Sequence, residues 1–202
     1  SILVGEVAAQ RSDERMAFTH YLHAARLARD PELAALAARA ALALGDADAG
    51  QRAVDLWQEL APESVKARQI AAYVQIEAGD RDAALDALRE LVRLTPKPKQ
   101  PYMQAAQLLA RIEDPRERLS LMQALVGDAQ DDADAHFALA TLAAAADDNA
   151  LARDAAHKAV ALRPDWNEPR VFMVQILVAD GEREPAAALL DEYLAAAPDD
   201  KE

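Results

Sequence analysis

Two histidines spaced three residues apart are the first candidates for metal binding in this sequence. On a helix, His20 and His23 would lie on one face, where two imidazole nitrogens can reach the same ion. The other two histidines, His136 and His157, do not form a second pair, and the chain contains no cysteine to complete a coordination sphere. A surface or packing role is therefore favoured, and the sequence predicts neither a metal site nor a cofactor.

An aspartate-rich segment, residues 128–134, is the second place where a cation could bind. Its four carboxylates belong to Asp128, Asp131, Asp132 and Asp134. The segment lacks the glycine and the distal glutamate of a calcium-binding loop. We interpret it as a solvated turn followed by a helix N-terminus, where negative charge suits the helix dipole.

The chain contains no motif for nucleophilic catalysis or for phosphate binding. Ser12, Ser64 and Ser120 lie at expected turns or on helices, outside any nucleophile signature. The six glycines are scattered, so no loop is rich enough in glycine to cradle a phosphate. The sequence therefore predicts no catalytic residue, and we expect a protein that is not an enzyme.

The elements that position these residues are clearest in residues 65–96. Apolar residues recur three and four apart on both sides of a break at Gly79–Asp80, which is the pattern of two amphipathic helices. The second pattern stops at Thr95–Pro96, because proline cannot continue a helix. The unit is a helix, a tight turn, a second helix and a stop.

This unit recurs at a fixed period of 34 residues. The break returns at Gly45, Gly79, Glu113, Asp147 and Gly181. An acidic residue follows each time, at Asp46, Asp80, Asp114, Asp148 and Glu182. The closing positions share the same period, at Pro62, Pro96, Gln130, Pro164 and Pro198. A helix–turn–helix period of 34 residues is that of the tetratricopeptide repeat (TPR).

Small residues at two places in each unit extend the resemblance to the TPR family. In the first helices they are Ala38, Ala72, Ala106 and Ala140, and after the turn they are Gly50, Ala84, Ala152 and Ala186. The family has small residues there because the paired helices cross closely. Val174 departs from the pattern in the sixth unit, and Arg118 and Gln130 make the fourth unit degenerate.

The resemblance implies an all-α fold, a right-handed α-solenoid (superhelix) of about six TPR helix-turn-helix repeats. We expect a single solenoid domain over residues 1–202, with repeats at about 1–30, 31–63, 64–98, 99–132, 133–166 and 167–200. The chain begins inside a helical pattern and shows no polar capping helix after Pro198, so we expect a piece of a longer chain.

Charge and hydropathy narrow the classes of partner. The formal net charge is −13, which disfavours nucleic acid and an anionic membrane surface as partners. The same charge is compatible with a basic protein partner, or with solubility alone. No stretch has the length and apolar character of a membrane span, so we expect no membrane insertion in this segment.

Binding is the function that the repeat pattern favours. In a superhelix of helix pairs, the first helices line the concave face and offer an extended surface. The positions one after and three before each packing alanine give the candidate peptide-binding groove: Arg39, Gln69, Tyr73, Met103, Gln107, Phe137, Thr141 and Gln175. Amides there could bond a peptide backbone while Tyr73, Met103 and Phe137 take side chains. Packing of Tyr73 and Phe137 between neighbouring repeats is an equal alternative.

Two narrower resemblances can be tested on the same residues. TPR domains that bind chaperone C-termini clamp a carboxylate with lysine, asparagine and arginine, whereas this chain has Gln69, Tyr73, Met103 and Gln107 at those places. The clamp is absent, so that partner is disfavoured. By contrast, residues 5–10, 21–26, 29–31, 37–42, 56–57, 62–64 and 67–69 resemble the opening repeats of Gram-negative outer-membrane TPR lipoproteins that scaffold a carboxyl-terminal processing protease.

Two hypotheses for function follow. The first is a non-enzymatic scaffold that binds a protein or an extended peptide on the concave groove. The lipoprotein resemblance implies tethering of a periplasmic protease or its substrates, and a periplasmic location with outer-membrane anchoring in the full-length protein; a cytoplasmic location is the alternative. The second hypothesis is a structural assembly module of a larger envelope complex, self-associating through open repeat ends.

Overall fold

The structure is a computed structural model that describes residues 2–11 and 13–196. In those residues twelve α-helices alternate with short turns, and no strand is present. The helices are α1 Ile2–Gln10, α2 Glu14–Ala28, α3 Pro31–Leu44, α4 Ala47–Leu60, α5 Val65–Ala78, α6 Arg81–Leu94, α7 Pro101–Leu109, α8 Pro115–Gly127, α9 Ala133–Ala144, α10 Asn149–Leu162, α11 Asn167–Ala179 and α12 Arg183–Ala196. The predicted all-helical fold of six helix pairs is confirmed.

The turns lie where the period predicts them, and their backbone explains the recurring glycine. Gly45, Gly79 and Gly181 have φ of 65°, 71° and 81°, in the left-handed region that glycine adopts without steric cost. Asp147, at the same position of the fifth pair, also has a positive φ of 58°. The first predicted turn includes Ser12, which lies outside the described residues.

The aspartate after four of the breaks is a helix N-cap, a role that the sequence pattern alone did not assign. The side chains of Asp46, Asp80 and Asp148 accept hydrogen bonds from backbone N–H groups three residues later, at 2.9, 3.1 and 3.0 Å. Asp114 accepts from the N–H of Arg116, only two residues later, at 2.9 Å. Each carboxylate satisfies a donor that the first turn of a helix leaves unpaired, so the position repeats with the helices.

The fourth pair departs from the others, as its sequence predicts. Its turn spans residues 110–114 and is closed by hydrogen bonds from Arg111 N–H to Leu108 O and from Ile112 N–H to Leu109 O. Half-buried Arg118 replaces the usual small residue and donates from Nη2 to the Ala145 carbonyl at the end of α9, at 3.1 Å. The bulky side chain is accommodated because it reaches across to the next helix pair.

The closing position of the fourth pair is held by a buried histidine. His136, only 6% exposed, lies with Nε2 2.8 Å from the Gln130 carbonyl oxygen. Because a carbonyl only accepts, Nε2 carries the proton and donates. The contact fixes the backbone at the position where the other repeats have proline. It gives His136 the packing role that the sequence favoured.

The chain divides into two compact units, residues 1–101 and 102–202. In the first, the first-helix alanines Ala38 and Ala72 are 1% and 0% exposed and belong to the buried core. In the second, Ala106 and Ala140 are equally buried. At Gly50 the close neighbour is Val74 on α5, the first helix of the next pair, so this small residue serves packing between pairs rather than within one.

Candidate peptide-binding faces

In the first unit the three predicted groove residues differ in accessibility. Arg39 is exposed, whereas Gln69 and Tyr73 are half-buried. Tyr73 packs against the apolar core of this unit and lines a small cavity of about 120 Å³ beside the turn between α3 and α4, together with Leu42 and Glu77. Much of the Tyr73 ring is therefore buried by packing. The cavity beside it is large enough only for a small group.

In the second unit two predicted residues are brought together. Thr141 Oγ1 donates to the Ala138 carbonyl at 2.8 Å and lies 3.7 Å from the sulfur of Met103. The contact joins α7 to α9, the first helices of successive pairs. Both side chains are half-buried, whereas Gln107, one helical turn beyond Met103, is exposed.

Phe137 belongs to an aromatic cluster that we define as Phe137, Trp166 and Phe172. The Phe137 ring centroid lies 4.9 Å from that of Trp166, with 74° between the ring planes, and 5.5 Å from that of Phe172, with 88° between planes. Edge-to-face contacts of this kind are favourable beyond the area they bury. Phe137 therefore packs between repeats, as one of the two interpretations predicted, while remaining half-exposed.

The aromatic cluster lines an open groove of about 450 Å³, which we call the aromatic groove. Predicted groove residues Phe137 and Gln175 both line it, and exposed Val171 adds an apolar wall. Asp165 and Glu168 also contribute to the lining. The structure thus places two of the eight predicted residues in one concave feature that is large enough for a side chain of a peptide.

One cation already lies against this cluster. The Arg163 guanidinium carbon is 4.3 Å from the Trp166 ring centroid, in cation–π geometry. Arg163 Nη2 also donates to Asp134 at 2.7 Å, and this hydrogen bond is the main cause that raises the pKa of Arg163. The charge of Asp165 raises the pKa of Arg163 further, so this carboxylate interacts with the cation, whereas Asp134 forms the direct ion pair with it.

The remaining titratable clusters have structural explanations. Asp132 is the N-cap of α9 and accepts from Asp134 N–H at 3.0 Å, as the helix N-terminus interpretation predicted. His20 is half-buried and His23 exposed. Within residues 2–11 and 13–196, no three histidine, aspartate or glutamate side chains are grouped so that they could hold a metal ion. None of the helices described is long and apolar enough to cross a bilayer.

Sequence reasoning missed Trp166, Phe172, Asp165 and Glu168. The prediction took only the two outward positions beside each packing alanine, whereas Asp165 and Trp166 lie in the junction before α11 and Phe172 is one residue past the chosen position. The sequence does contain a usable signal, since both tryptophan and phenylalanine occur shortly after the stop at Pro164, at Trp166 and Phe172. Aromatic residues clustered at a repeat junction indicate a candidate binding surface.

Comparison with protein-family models and with curated proteins gives no match. Solved structures do resemble the chain. MamA (residues 41 to the end) from Desulfovibrio magneticus RS-1 has a TM-score of 0.46 and 19% identity, covering 82% of this chain and 93% of that one. YrrB, described as a TPR protein with an unusual peptide-binding site, has a TM-score of 0.46 and 17% identity, covering 80% and 84%. A TPR protein of Thermus thermophilus has 0.43 and 19%, covering 88% and 97%.

Proposed function

We propose that this protein is a non-enzymatic scaffold that binds a protein or an extended peptide on the outward faces of its first helices. In the first unit these faces belong to α3 and α5, and in the second to α7, α9 and α11. The aromatic groove is the observation that carries the proposal. It combines a half-exposed aromatic floor at Phe137 with the exposed amide of Gln175, which suits a peptide side chain and its backbone respectively.

The second helices supply the contrast. On α6, Asp86 and Glu90 pair with Arg89 and Arg93 at 3.2 and 2.8 Å, so these charges are satisfied within their own helix. Such exposed pairs are solvated surface features of small energetic weight. Binding therefore depends on the first-helix faces more than on the second-helix surface.

A random-peptide display library panned against the protein tests this proposal without knowledge of the natural partner. Enriched peptides are then titrated by calorimetry against Gln175→Ala, with Gln123→Ala as the matched control on the exposed surface of α8. We expect Gln175→Ala to weaken binding and Gln123→Ala to leave it unchanged. Equal affinity for both variants, or enrichment of no peptide at all, would overturn the proposal.

Two further predicted groove residues, Tyr73 and Gln107, are tested in the same titrations. Tyr73→Ala and Gln107→Ala, one in each unit, are expected to weaken binding of peptides that use their faces, with helicity unchanged by circular dichroism. The paired acids provide the control, since Asp86→Asn with Glu90→Gln should alter only the salt dependence. A larger loss from the paired acids would place the partner on the second-helix surface.

Tethering of a periplasmic processing protease or its substrates is the finer form of this proposal. It is supported by the sequence resemblance of the opening repeats alone. Cell fractionation of the source organism, followed by co-purification with its carboxyl-terminal processing proteases, tests both the compartment and the partner. Recovery in the cytoplasmic fraction would contradict this form and leave the scaffold proposal standing.

A structural assembly module is the second candidate, and an apolar face in the first unit favours it. Leu3 is 76% exposed and, with Val4, Val7 and Met16, lines an open cavity of about 540 Å³ on α1 and the start of α2. Apolar exposure of this kind is typical of interaction surfaces. Sedimentation of the protein against Leu3→Ser is the test: a dimer that the substitution dissociates supports self-association, and a monomer at all concentrations contradicts it.

A further inference from the structure

We propose that the aromatic groove selects a positively charged side chain, arginine or lysine, carried by the bound peptide. The inference rests on the proposed peptide-binding function and adds the chemical class of the ligand. The aliphatic stem of that side chain would lie against Phe137, Val171 and Phe172, and its charged head would meet Asp165 and Glu168.

Charge complementarity is the first argument. Asp165 and Glu168 line the groove, and within the part of the chain that the structure describes neither forms an ion pair or a side-chain hydrogen bond. Arg163, whose pKa the charge of Asp165 also raises, has its ion pair with Asp134 at 2.7 Å. Two exposed carboxylates without an ion pair, beside an apolar floor, favour a ligand that is apolar along its length and cationic at its end.

The aromatic floor is the second argument. Aromatic faces attract cations through the ring quadrupole, most strongly for tryptophan. The Arg163 guanidinium carbon lies 4.3 Å from the Trp166 ring centroid, so one ring of this cluster already attracts a cation. The net charge of −13 would also draw a basic segment toward the protein before specific contact forms. An acidic or neutral peptide gains neither contribution.

The two tryptophans make the proposal measurable. Trp166 is half-exposed in the groove, whereas Trp57 is 5% exposed in the core of the first unit, so the two indole N–H signals in a ¹H–¹⁵N spectrum report on the groove and on an internal reference. Trp166→Phe assigns them. The probes are acetyl-Gly-Arg-Gly-amide, its neutral isostere with citrulline in place of arginine, and the lysine and glutamate analogues.

We expect the arginine and lysine probes to shift the Trp166 signal in a saturable way, while the Trp57 signal stays fixed. The citrulline probe should bind about five- to tenfold more weakly, as loss of one cation at a partly exposed aromatic and acidic site implies. Asp165→Asn with Glu168→Gln should remove that preference. Asp154→Asn with Glu184→Gln, matched in charge and including a first-turn glutamate on α12, should retain it.

Equal affinity for arginine and citrulline, or a preference that survives Asp165→Asn with Glu168→Gln, would overturn the inference. The display library separates this failure from failure of the proposed function. If the library enriches peptides that depend on Gln175 but lack basic residues, the scaffold proposal stands and the charge selectivity is wrong. If it enriches none, both are wrong.

Discussion

Gly50 on α4 lies so close to Val74 on α5 that a methyl group added at Gly50 would be 3.2 Å from Val74 Cγ2. Contacts of this length force the neighbour to move. We therefore expect Gly50→Val to lower the free energy of unfolding by about 1–3 kcal/mol through overpacking. Urea denaturation measures the change, and a double-mutant cycle with Val74→Ala should show coupling between the two positions.

Gly127 provides the matched control for this prediction. It ends α8, and nothing lies within 4 Å of an added Cβ there. Gly127→Val should therefore change stability much less than Gly50→Val. Equal losses at the two glycines would show that backbone propensity, rather than the approach of α4 to α5, decides the effect.

Ala72→Leu tests the packing alanine of the third pair. Ala72 is 0% exposed in the first unit, so the added side chain has no free volume, and we expect a loss of about 1–3 kcal/mol. Ala78→Leu, exposed at the end of the same helix, is the control and should be nearly neutral. An unchanged melting temperature for Ala72→Leu would refute the packing assignment.

His136→Leu tests the hydrogen bond that replaces proline at the closing position of the fourth pair. The substitution removes the donor to the Gln130 carbonyl, and we expect it to cost about 1 kcal/mol. His157→Leu, exposed on α10, serves as the comparison. If both variants unfold at the same urea concentration, the bond to Gln130 contributes nothing measurable.

Tyr102 contributes to the way the free energy of unfolding changes with pH in the alkaline range. Burial is the main cause that raises the pKa of Tyr102, and the carboxylates of Asp132, Asp128 and Asp134 raise it further. The folded protein therefore holds the phenolic proton more tightly than the unfolded chain. This contribution is fully present below the unfolded pKa of about 10 and is lost as pH rises through the higher folded pKa.

Tyr102→Phe is therefore expected to flatten the loss of unfolding free energy above about pH 10, relative to the wild type. Urea titrations at neutral and alkaline pH measure the two slopes. Tyr21 and Tyr193 also have pKa values raised chiefly by burial, so part of the slope should remain in the variant. Identical slopes would mean that Tyr102 ionises alike in the folded and unfolded states.

Asp147→Gly addresses the positive φ of 58° in the turn before α10. Three other turns have glycine at this position, where it avoids the steric cost that an L-residue pays. We expect the substitution to stabilise the protein by about 0.5–1 kcal/mol, measured by thermal and urea unfolding. A destabilised variant would indicate that the Asp147 side chain contributes an interaction that outweighs the backbone cost.

The period of 34 residues was enough to predict the helices and turns, because each pair repeats the same local chemistry. Even the degeneracy of the fourth helix pair was visible in the sequence, at Arg118 and Gln130. The compensating contacts were not, since Arg118 donates to Ala145 and His136 to Gln130 through backbone carbonyls, which carry no sequence signal. Every residue has a backbone carbonyl, so only the structure shows which carbonyl accepts a given hydrogen bond.

The candidate site was predictable only in part for a similar reason. Phe137 and Gln175, two of the eight predicted residues, line one groove, and Met103 lies beside Thr141, whereas their role in binding stays a prediction. Repeat alignment omitted Trp166 and Phe172, because these rings depart from the repeated positions and fill space peculiar to one junction. The 34-residue period predicts the positions that all repeats share, whereas the aromatic groove also contains residues peculiar to one repeat junction.

Within each unit the helices contact mainly their neighbours along the chain, as α2 does with α3 and α9 with α10. Such contacts close short loops, so the contact order is low and the entropic barrier to folding is small. A helix pair can therefore form soon after it leaves the ribosome, before later pairs have been synthesised. Within a unit, each completed pair then templates the next, which shortens the time during which apolar helix faces are open to aggregation.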